Sequence, residues 1–378
     1  MSPAIPGALA VVLLAGCTVG PDYRAPAVDA PAAFVAQEVL DELGTGRGDA
    51  PAARWWEGFD DPLLDTLVEA GLEQSHAIAG AAARVAQARA RVRQAGAADA
   101  PRVEATAEGD VEGRRQLDAG EGTATRGVFG TVTAVLPLDV FGRTRRSVEA
   151  ARANLDAARA ALRGVVLATS AGIAGEYLRL RGNQRQLELL RESVDLQEQT
   201  LSIVRTRFRV GLSPEVDLQR AITSVENLRA DIPLLEEALQ GSRNRLATLT
   251  GQFPGAYETM LSAPADIPAY GAPVPSPVPL AVLDANPDVR QAEGDLREAI
   301  ARIGVAEAEY YPAFALTGSI EIGTSAVTGG PATEVLIGSL GALVEQVVTA
   351  GGAREANVEI ARARAREALA AYEEVLRE

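Results

Sequence analysis

The chain has 378 residues, of which 47% are hydrophobic but only 4% aromatic, and its formal net charge is −15. Such an acidic surface repels phosphate and excludes nucleic acid as a partner. The single cysteine, Cys17, and single histidine, His76, cannot supply an internal disulfide, a Cys/His metal cluster or a Ser/His/Asp triad, so neither an enzyme nor a resident cofactor is expected. The aromatic shortfall, with abundant Ala, Leu, Val, Glu and Arg, points to long helices packed through small side chains. All 36 basic residues are arginine, which reads as genome composition more than mechanism. No run approaches the roughly 20 apolar residues of a spanning helix, so a membrane crossing would have to use strands.

At the N-terminus, Ala8 to Ala15 is a short apolar run leading through Gly16 to Cys17. It resembles a signal peptide, and Leu14-Ala15-Gly16-Cys17 matches the bacterial lipobox. The match implies removal of residues 1–16 and lipid attachment at Cys17. Met1 to Gly7 carries no basic residue, which suggests a start further upstream. Thr18, rather than Asp, follows the cysteine, as in lipoproteins sorted to the outer membrane.

The segment Pro62 to Ala97 reads as one helix, with Pro101 after it. Two alternating stretches follow. In the first, Glu104, Thr106, Glu108, Asp110 and Glu112 share one face, while Val103, Ala105, Ala107 and Val111 share the other. In the second, Val128, Val132, Ala134 and Leu136 oppose Thr131 and Thr133. Runs of about ten residues with one apolar face fit tilted membrane strands.

From Val148 to Val210 there is neither Pro nor a turn cluster, and at about 1.5 Å per residue such a helix spans roughly 90 Å. Val166, Ile173, Leu180, Leu187, Val194, Leu201 and Phe208 recur every seven residues. The next helix, Ser213 to Leu249, repeats the spacing in Leu218, Val225, Ile232, Leu239 and Leu246, with Ala221, Leu228, Leu235 and Leu249 beside them. A sustained seven-residue repeat implies left-handed supercoiling. Pro233 is expected to interrupt the second helix and kink it. Between the two, Val210-Gly211-Leu212-Ser213-Pro214-Glu215 reads as a sharp exposed tip. Gly211 suits the left-handed position after a helix, with Ser213 as N-cap and Pro214 as first helical residue.

The layout then recurs. Pro287 to Ala308 mirrors His76 to Ala97, and Pro312 lies 211 residues after Pro101. In the second hairpin Phe314, Leu316, Ile320 and Ile322 oppose Thr317, Ser319 and Glu321, and Glu334 to Leu343 returns with weaker alternation. Two short helices set end to end beside one long helix would give a uniform two-helix wall, which suits a tube. Only 27 residues follow Gly351, so by the chain's own symmetry about 80 more are expected, including a second tip. Four strands cannot close a barrel and an open edge is not tolerated in lipid, so several copies would have to share one.

These residues together resemble the outer membrane efflux protein (TolC-like) family, in its NodT/OprM-type lipoprotein branch serving resistance-nodulation-division pumps. The resemblance rests on Cys17 to Tyr23 with Pro26, on Trp55-Trp56, Phe59, Asp61-Pro62, Leu63 and Leu67, and on Arg207 to Asp217. Pro137 to Arg143, Leu246 to Gly251, and Asn286 to Arg290 with Ala292-Glu293 extend it. Val348-Thr349-Ala350-Gly351-Gly352 departs from the aromatic-Asp-Gly-Gly run usual at the second hairpin exit. The resemblance implies a mainly α fold with membrane β: coiled-coil hairpins forming a periplasmic α-barrel, and four strands per chain in a trimeric 12-stranded outer-membrane β-barrel. It implies a homotrimer in the outer membrane, anchored in lipid through Cys17. The tip Val210, Gly211, Leu212 and Ser213 would meet a periplasmic adaptor protein linked to the inner-membrane pump. Trp55 and the repeat junction would form a belt around the tube.

The expected organisation is a signal peptide (1–16), a lipid-anchored segment (17–61), a first repeat (62–251, hairpin 102–138), a Pro-rich linker (252–285) and an incomplete second repeat (286–378, hairpin 313–347). The expected function is a passive exit duct for small molecules such as drugs or metal ions. Glu104, Glu108, Asp110 and Glu112 would make its lumen acidic and mildly cation-preferring. A protein-secretion duct of the same fold is the nearest alternative, with a non-functional fragment also open. A coiled-coil adhesin explains the heptads but not the paired hairpins. His76 and the acid pairs Glu236-Glu237 and Glu373-Glu374 read as solvated helix surface, not as catalytic groups.

Overall fold

The computed structural model describes residues 18–27, 54–115, 122–272, 279–327 and 329–377. Cys17 lies outside the described residues. The chain divides into two compact units, one comprising residues 1–28, 85–159 and 288–378 and the other 29–84 and 160–287. In order, the elements are α1 (Pro62–Gln74), α2 (His76–Gly96), β1 (Arg102–Arg115), β2 (Gly122–Leu138), α3 (Arg143–Arg209) and α4 (Glu215–Leu249). They continue with α5 (Pro279–Ala285), α6 (Pro287–Glu307), β3 (Ala313–Val327), β4 (Thr333–Glu345) and α7 (Ala353–Val375). The internal repeat extends to detail: a short 3-10 turn, Ala97–Asp99 after α2 and Ala308–Tyr310 after α6, precedes each hairpin at equivalent positions.

In the first unit, β1 to β4 form one antiparallel sheet in sequence order. The short segment after Cys17 is pinned to this unit by Arg146, only 4% exposed. Its guanidinium donates to the carbonyls of Val19 and Gly20 at 3.0 and 2.9 Å, to Asp22 Oδ1 at 2.7 Å and to Glu149 Oε2 at 2.8 Å. Tyr23 follows. Its hydroxyl donates to Glu293 Oε1 at 3.1 Å, and the Arg297 guanidinium lies 5.1 Å from its ring centre. Burial, reinforced by the Glu293 charge, pushes the Tyr23 phenol up to about 12. The hydroxyl therefore remains a donor throughout the working range.

In the second unit, Leu64 and Leu67 of α1 meet Ile173 and Leu180 of α3 and Leu246 of α4, with Trp56 in the same cluster. Each such burial contributes roughly 1.5–3 kcal/mol. Nearer the turn, Leu201 packs on Ala221 and Val225. The seven-residue row read from the sequence is thus a buried seam at Ile173, Leu180, Leu187, Val194 and Leu201.

Three local expectations are corrected. The helix read as continuous from Pro62 to Ala97 breaks at Ser75, whose backbone turns extended (ψ 121°) while its N–H still closes onto the Gly71 carbonyl. Pro233 does not interrupt α4, which runs through it from Glu215 to Leu249; the helix loses one hydrogen bond there and keeps its packed seam. Ser213 is not the N-cap of α4. Pro214 occupies that position with extended backbone (ψ 156°), and the Ser213 hydroxyl instead donates to Asp217 Oδ2 at 3.2 Å.

A buried polar latch ties α1 to α3 within this unit. Asp61 caps α1, accepting from the N–H of Leu63 and Leu64 at 2.9 and 3.2 Å. Its other carboxylate oxygen accepts from the Tyr177 hydroxyl at 2.6 Å. Arg181, 4% exposed, donates to that hydroxyl from Nε and Nη2 at 3.1 and 3.0 Å, and from Nη1 to Gln184 and the Ala263 carbonyl. Burial, with the Asp61 hydrogen bond next, pushes the Tyr177 phenol up to about 12. Tyr177→Phe removes the atom joining all three groups and leaves two buried guanidinium N–H groups without an acceptor. We expect a loss of about 1–3 kcal/mol in urea unfolding; a loss under about 0.5 kcal/mol would contradict the latch.

Candidate functional site

The register sorts every strand residue onto one of two faces. Glu104, Thr106, Glu108, Asp110 and Glu112 of β1 lie opposite Thr133, Thr131, Phe129, Gly127 and Thr125 of β2. Those β2 residues in turn lie opposite Ser319, Glu321, Gly323, Ser325 and Val327 of β3. The row is polar apart from Phe129 and Val327, and Thr131 Oγ1 donates to Glu321 Oε2 at 3.4 Å. Ser319 and Ser339 hydroxyls meet at 2.8 Å on the same face. The sheet thus brings all four sequence-predicted acids, Glu104, Glu108, Asp110 and Glu112, to one side of one strand, and adds Glu321 from β3.

The opposite face is bare and mainly apolar, with Arg126, Thr324 and Glu334 towards its helix-distal end. Val103, Ala134, Gly318 and Leu340 form one cross-sheet row, and Ala107, Gly130, Ile322 and Leu336 another. Leu340 is 90% exposed, Leu336 74%, Val111 74% and Ile322 65%. No water-soluble sheet of this extent leaves such a face uncovered, because at about 25 cal/mol per Å² the exposure is prohibitive. In lipid the same face is at no disadvantage. At the helix-proximal end, Phe141 stacks on Tyr311 with centroids 4.6 Å apart, Phe314 lies 6.3 Å from Phe141, and Tyr310 and Tyr311 are 40% and 43% exposed. Aromatic residues gathered at the foot of an apolar strand band mark a membrane interface.

Within the chain, β1 and β4 are the sheet's two edges. Each leaves a line of backbone donors and acceptors without a partner strand, a state that lipid does not tolerate.

In the other unit, the turn between α3 and α4 is fixed by its backbone. Gly211 has φ +76°, its N–H donates to the Phe208 carbonyl at 2.9 Å, and the Leu212 N–H reaches back to the Arg207 carbonyl at 2.8 Å. This pair of bonds is a Schellman motif, which requires the left-handed residue that glycine supplies. Val210 and Leu212 are held 63% and 75% exposed at the turn, with Gly211 also exposed and Ser213 half-buried. The four predicted tip residues are contiguous and form one knob, a rigid surface that carries no reactive group.

A further row on α3 escaped the sequence reading. Leu189, Leu196 and Ile203, continued by Val210 just past the helix end, also recur every seven residues and are 45%, 65%, 60% and 63% exposed, although the row at Leu187, Val194 and Leu201 is buried. The signal was present as a second heptad, two positions on from the first. His76, Glu236, Glu237, Glu373 and Glu374 are all exposed on helix surfaces. Among the described residues, no group of three or more His, Cys, Asp or Glu side chains is placed to hold a metal ion.

The chain is similar over most of its length to proteins of one kind. The outer membrane efflux protein family matches residues 67–252 and 278–378. Nodulation protein T of Rhizobium leguminosarum bv. trifolii is 31% identical over 354 residues, covering 94% of this chain and 74% of that protein. Cation efflux system protein CusC of Escherichia coli is 27% identical over 361 residues, covering 96% and 77%. The solved structure of the outer-membrane channel OprN superposes with a TM-score of 0.85 at 30% identity, covering 95% of this chain and 80% of that one. A sheet built for lipid on one side and water on the other, joined to long coiled-coil helices, is the shared design, and the chain belongs to the outer membrane efflux protein family, in its NodT/OprM-type branch.

Proposed function

We propose that this outer-membrane efflux channel works as a lipid-anchored homotrimer, the exit duct of a tripartite system that also contains a periplasmic adaptor and an inner-membrane pump of the resistance-nodulation-division type. The observation that carries the reading is the four-stranded sheet, largely apolar and bare on one face, polar across β1 to β3 on the other and open at both edges. Three such sheets, joined edge to edge, make a 12-stranded barrel without a free edge. Its polar face, with Glu104, Glu108, Asp110 and Glu112, lines the water path. The duct performs no chemistry and consumes no energy; it offers solutes a hydrated route past the lipid.

The helices support the same assembly. The buried row of α3 packs on α4, and the bare row at Leu189, Leu196 and Ile203 awaits another helix. At 3.5 residues per turn the two rows lie about 154° apart, close to the roughly 150° between the neighbours of any member of a closed ring of twelve helices. The narrow side between the rows carries Leu190, Ser193, Gln197, Thr200 and Val204, all uncharged. The broad side carries Glu188, Arg191, Glu192, Asp195 and Glu198. There Arg191 pairs with Glu236 at 2.8 Å, and Glu198 pairs with Arg229, both across the α3–α4 hairpin. Uncharged groups, polar at Ser193, Gln197 and Thr200, therefore face the lumen and the ion pairs face outward. The knob at Val210 to Ser213 is the adaptor contact, and Cys17, next to the pinned segment beginning at Thr18, is the lipid attachment point. The repeats 62–251 and 286–378, joined through 252–285, supply the two similar halves of each subunit.

Reconstitution in a planar bilayer tests the duct directly. Discrete water-filled conductance steps are expected, with potassium preferred over chloride in a salt gradient; anion preference would contradict the acidic lumen. Glu108→Gln combined with Asp110→Asn should lower the cation preference measurably. Leu196→Glu places a charge in the bare seam and should abolish the trimer on size exclusion in detergent while helicity by circular dichroism is kept; a stable trimer would refute the seam. Leu212→Asp at the knob should reduce efflux in cells several-fold with trimer and conductance intact, and unchanged efflux would remove the knob from the adaptor contact.

A further inference from the structure

Phe129 is the aromatic residue that the register sets on the polar face of the sheet, directly opposite Glu108 of β1 and Gly323 of β3. Its ring does not project from the wall. A Cβ built on Gly323 would come 2.3 Å from Phe129 Cδ1, and one built on Gly127 would come 2.4 Å from Phe129 Cε2. These are opposite corners of the ring, so it lies along the sheet across two side-chain-free positions, one face against the wall and the other turned away. The same point above Gly127 is 2.7 Å from Asp110 Oδ1, so ring and carboxylate sit side by side over one glycine. Glu108 is the directly facing cross-strand neighbour, at a separation of about 5 Å between such Cβ atoms, and Glu321 lies opposite Thr131, one polar-face position along.

We propose that Phe129, with Asp110 and Glu108, forms a transit subsite for organic cations that carry an apolar body, such as quaternary ammonium compounds. This deepens the proposed duct and rests on the polar face being its wall. A ring lying flat offers its negative π face to the water path, and a cation over that face is attracted without losing its whole hydration shell. The adjacent carboxylates raise the local cation concentration, whereas the ring discriminates a greasy cation from a hydrated metal ion. In a trimer the subsite recurs three times at one level of the pore.

The test is block of potassium current through the full chain in planar bilayers by benzyltrimethylammonium, each variant referred to its own unblocked current. Phe129→Leu should raise the half-blocking concentration about five-fold or more, within the range of a cation–aromatic contact. Phe129→Trp should preserve block, because its ring is the stronger cation acceptor. Benzyl alcohol, with the same ring and no charge, should not block any of the three. Equal block of wild type and Phe129→Leu overturns the proposal, even if Asp110→Asn weakens block, since the carboxylate alone would then suffice. A role for the ring only in covering Gly127 and Gly323 would change trimer stability in detergent and leave the half-blocking concentration where it was, which also overturns it. A wild-type chain that passes no current defeats the duct itself, an outcome distinct from a conducting channel insensitive to Phe129.

Discussion

Backbone amides and carbonyls inside a bilayer have no water to bond, and the sheet of this chain answers to that constraint. A strand can cross only if both of its edges are paired. Here each chain brings four strands, paired in simple order, with both outer edges open. The sheet is neither a finished barrel nor a soluble layer. Its bare apolar face would be costly in water, and its open edges would be costly in lipid. Lipid against the apolar face removes the first cost, and in the proposed trimer copies meeting edge to edge remove the second.

The helices carry the same logic into water. A helix in a bundle hides one stripe, whereas a helix in a hollow ring must present two, set a little less than half a turn apart. The rows through Leu187 and Leu189 on α3 have that relation, with uncharged groups between them on one side and the ion pairs of Arg191 and Arg229 on the other. The surface pairs are worth little individually. In the proposed ring their value is directional, because they set which side of the hairpin faces the solvent outside. The buried latch of Asp61, Tyr177 and Arg181 serves a different purpose: it sets where α1 begins against α3, and a charge so enclosed tolerates no other arrangement.

Much of this was legible in the sequence because two periods are so different. Alternation at Glu104, Glu108 and Asp110 reads as strand on its face, and the row from Val166 to Phe208 reads as coil. Gly211 announces its turn, since only a residue without a side chain adopts that backbone cheaply. What escaped lies in contacts between distant residues. Three of the partners of Arg146 are more than a hundred positions away, at Val19, Gly20 and Asp22, and no spacing rule connects them. Tyr177 finds Asp61 only after the chain has passed through a whole hairpin. The break at Ser75 carries no proline or glycine to mark it. Ser213 was misread as a cap because a serine before a proline satisfies the composition of an N-terminus, whereas its hydroxyl is taken by the Asp217 carboxylate. Phe129 was passed over because an aromatic among threonines reads as an interruption of the alternation, until Gly127 and Gly323 show where its ring lies.

The central claim is that this sheet closes only by sharing a barrel among copies of the chain. Native mass spectrometry of the protein extracted from outer membranes in mild detergent measures that directly. The account predicts a complex of three chains that survives until the detergent is stripped. A single chain, stable and fully folded in the same detergent with its β1 and β4 edges still open, would contradict it.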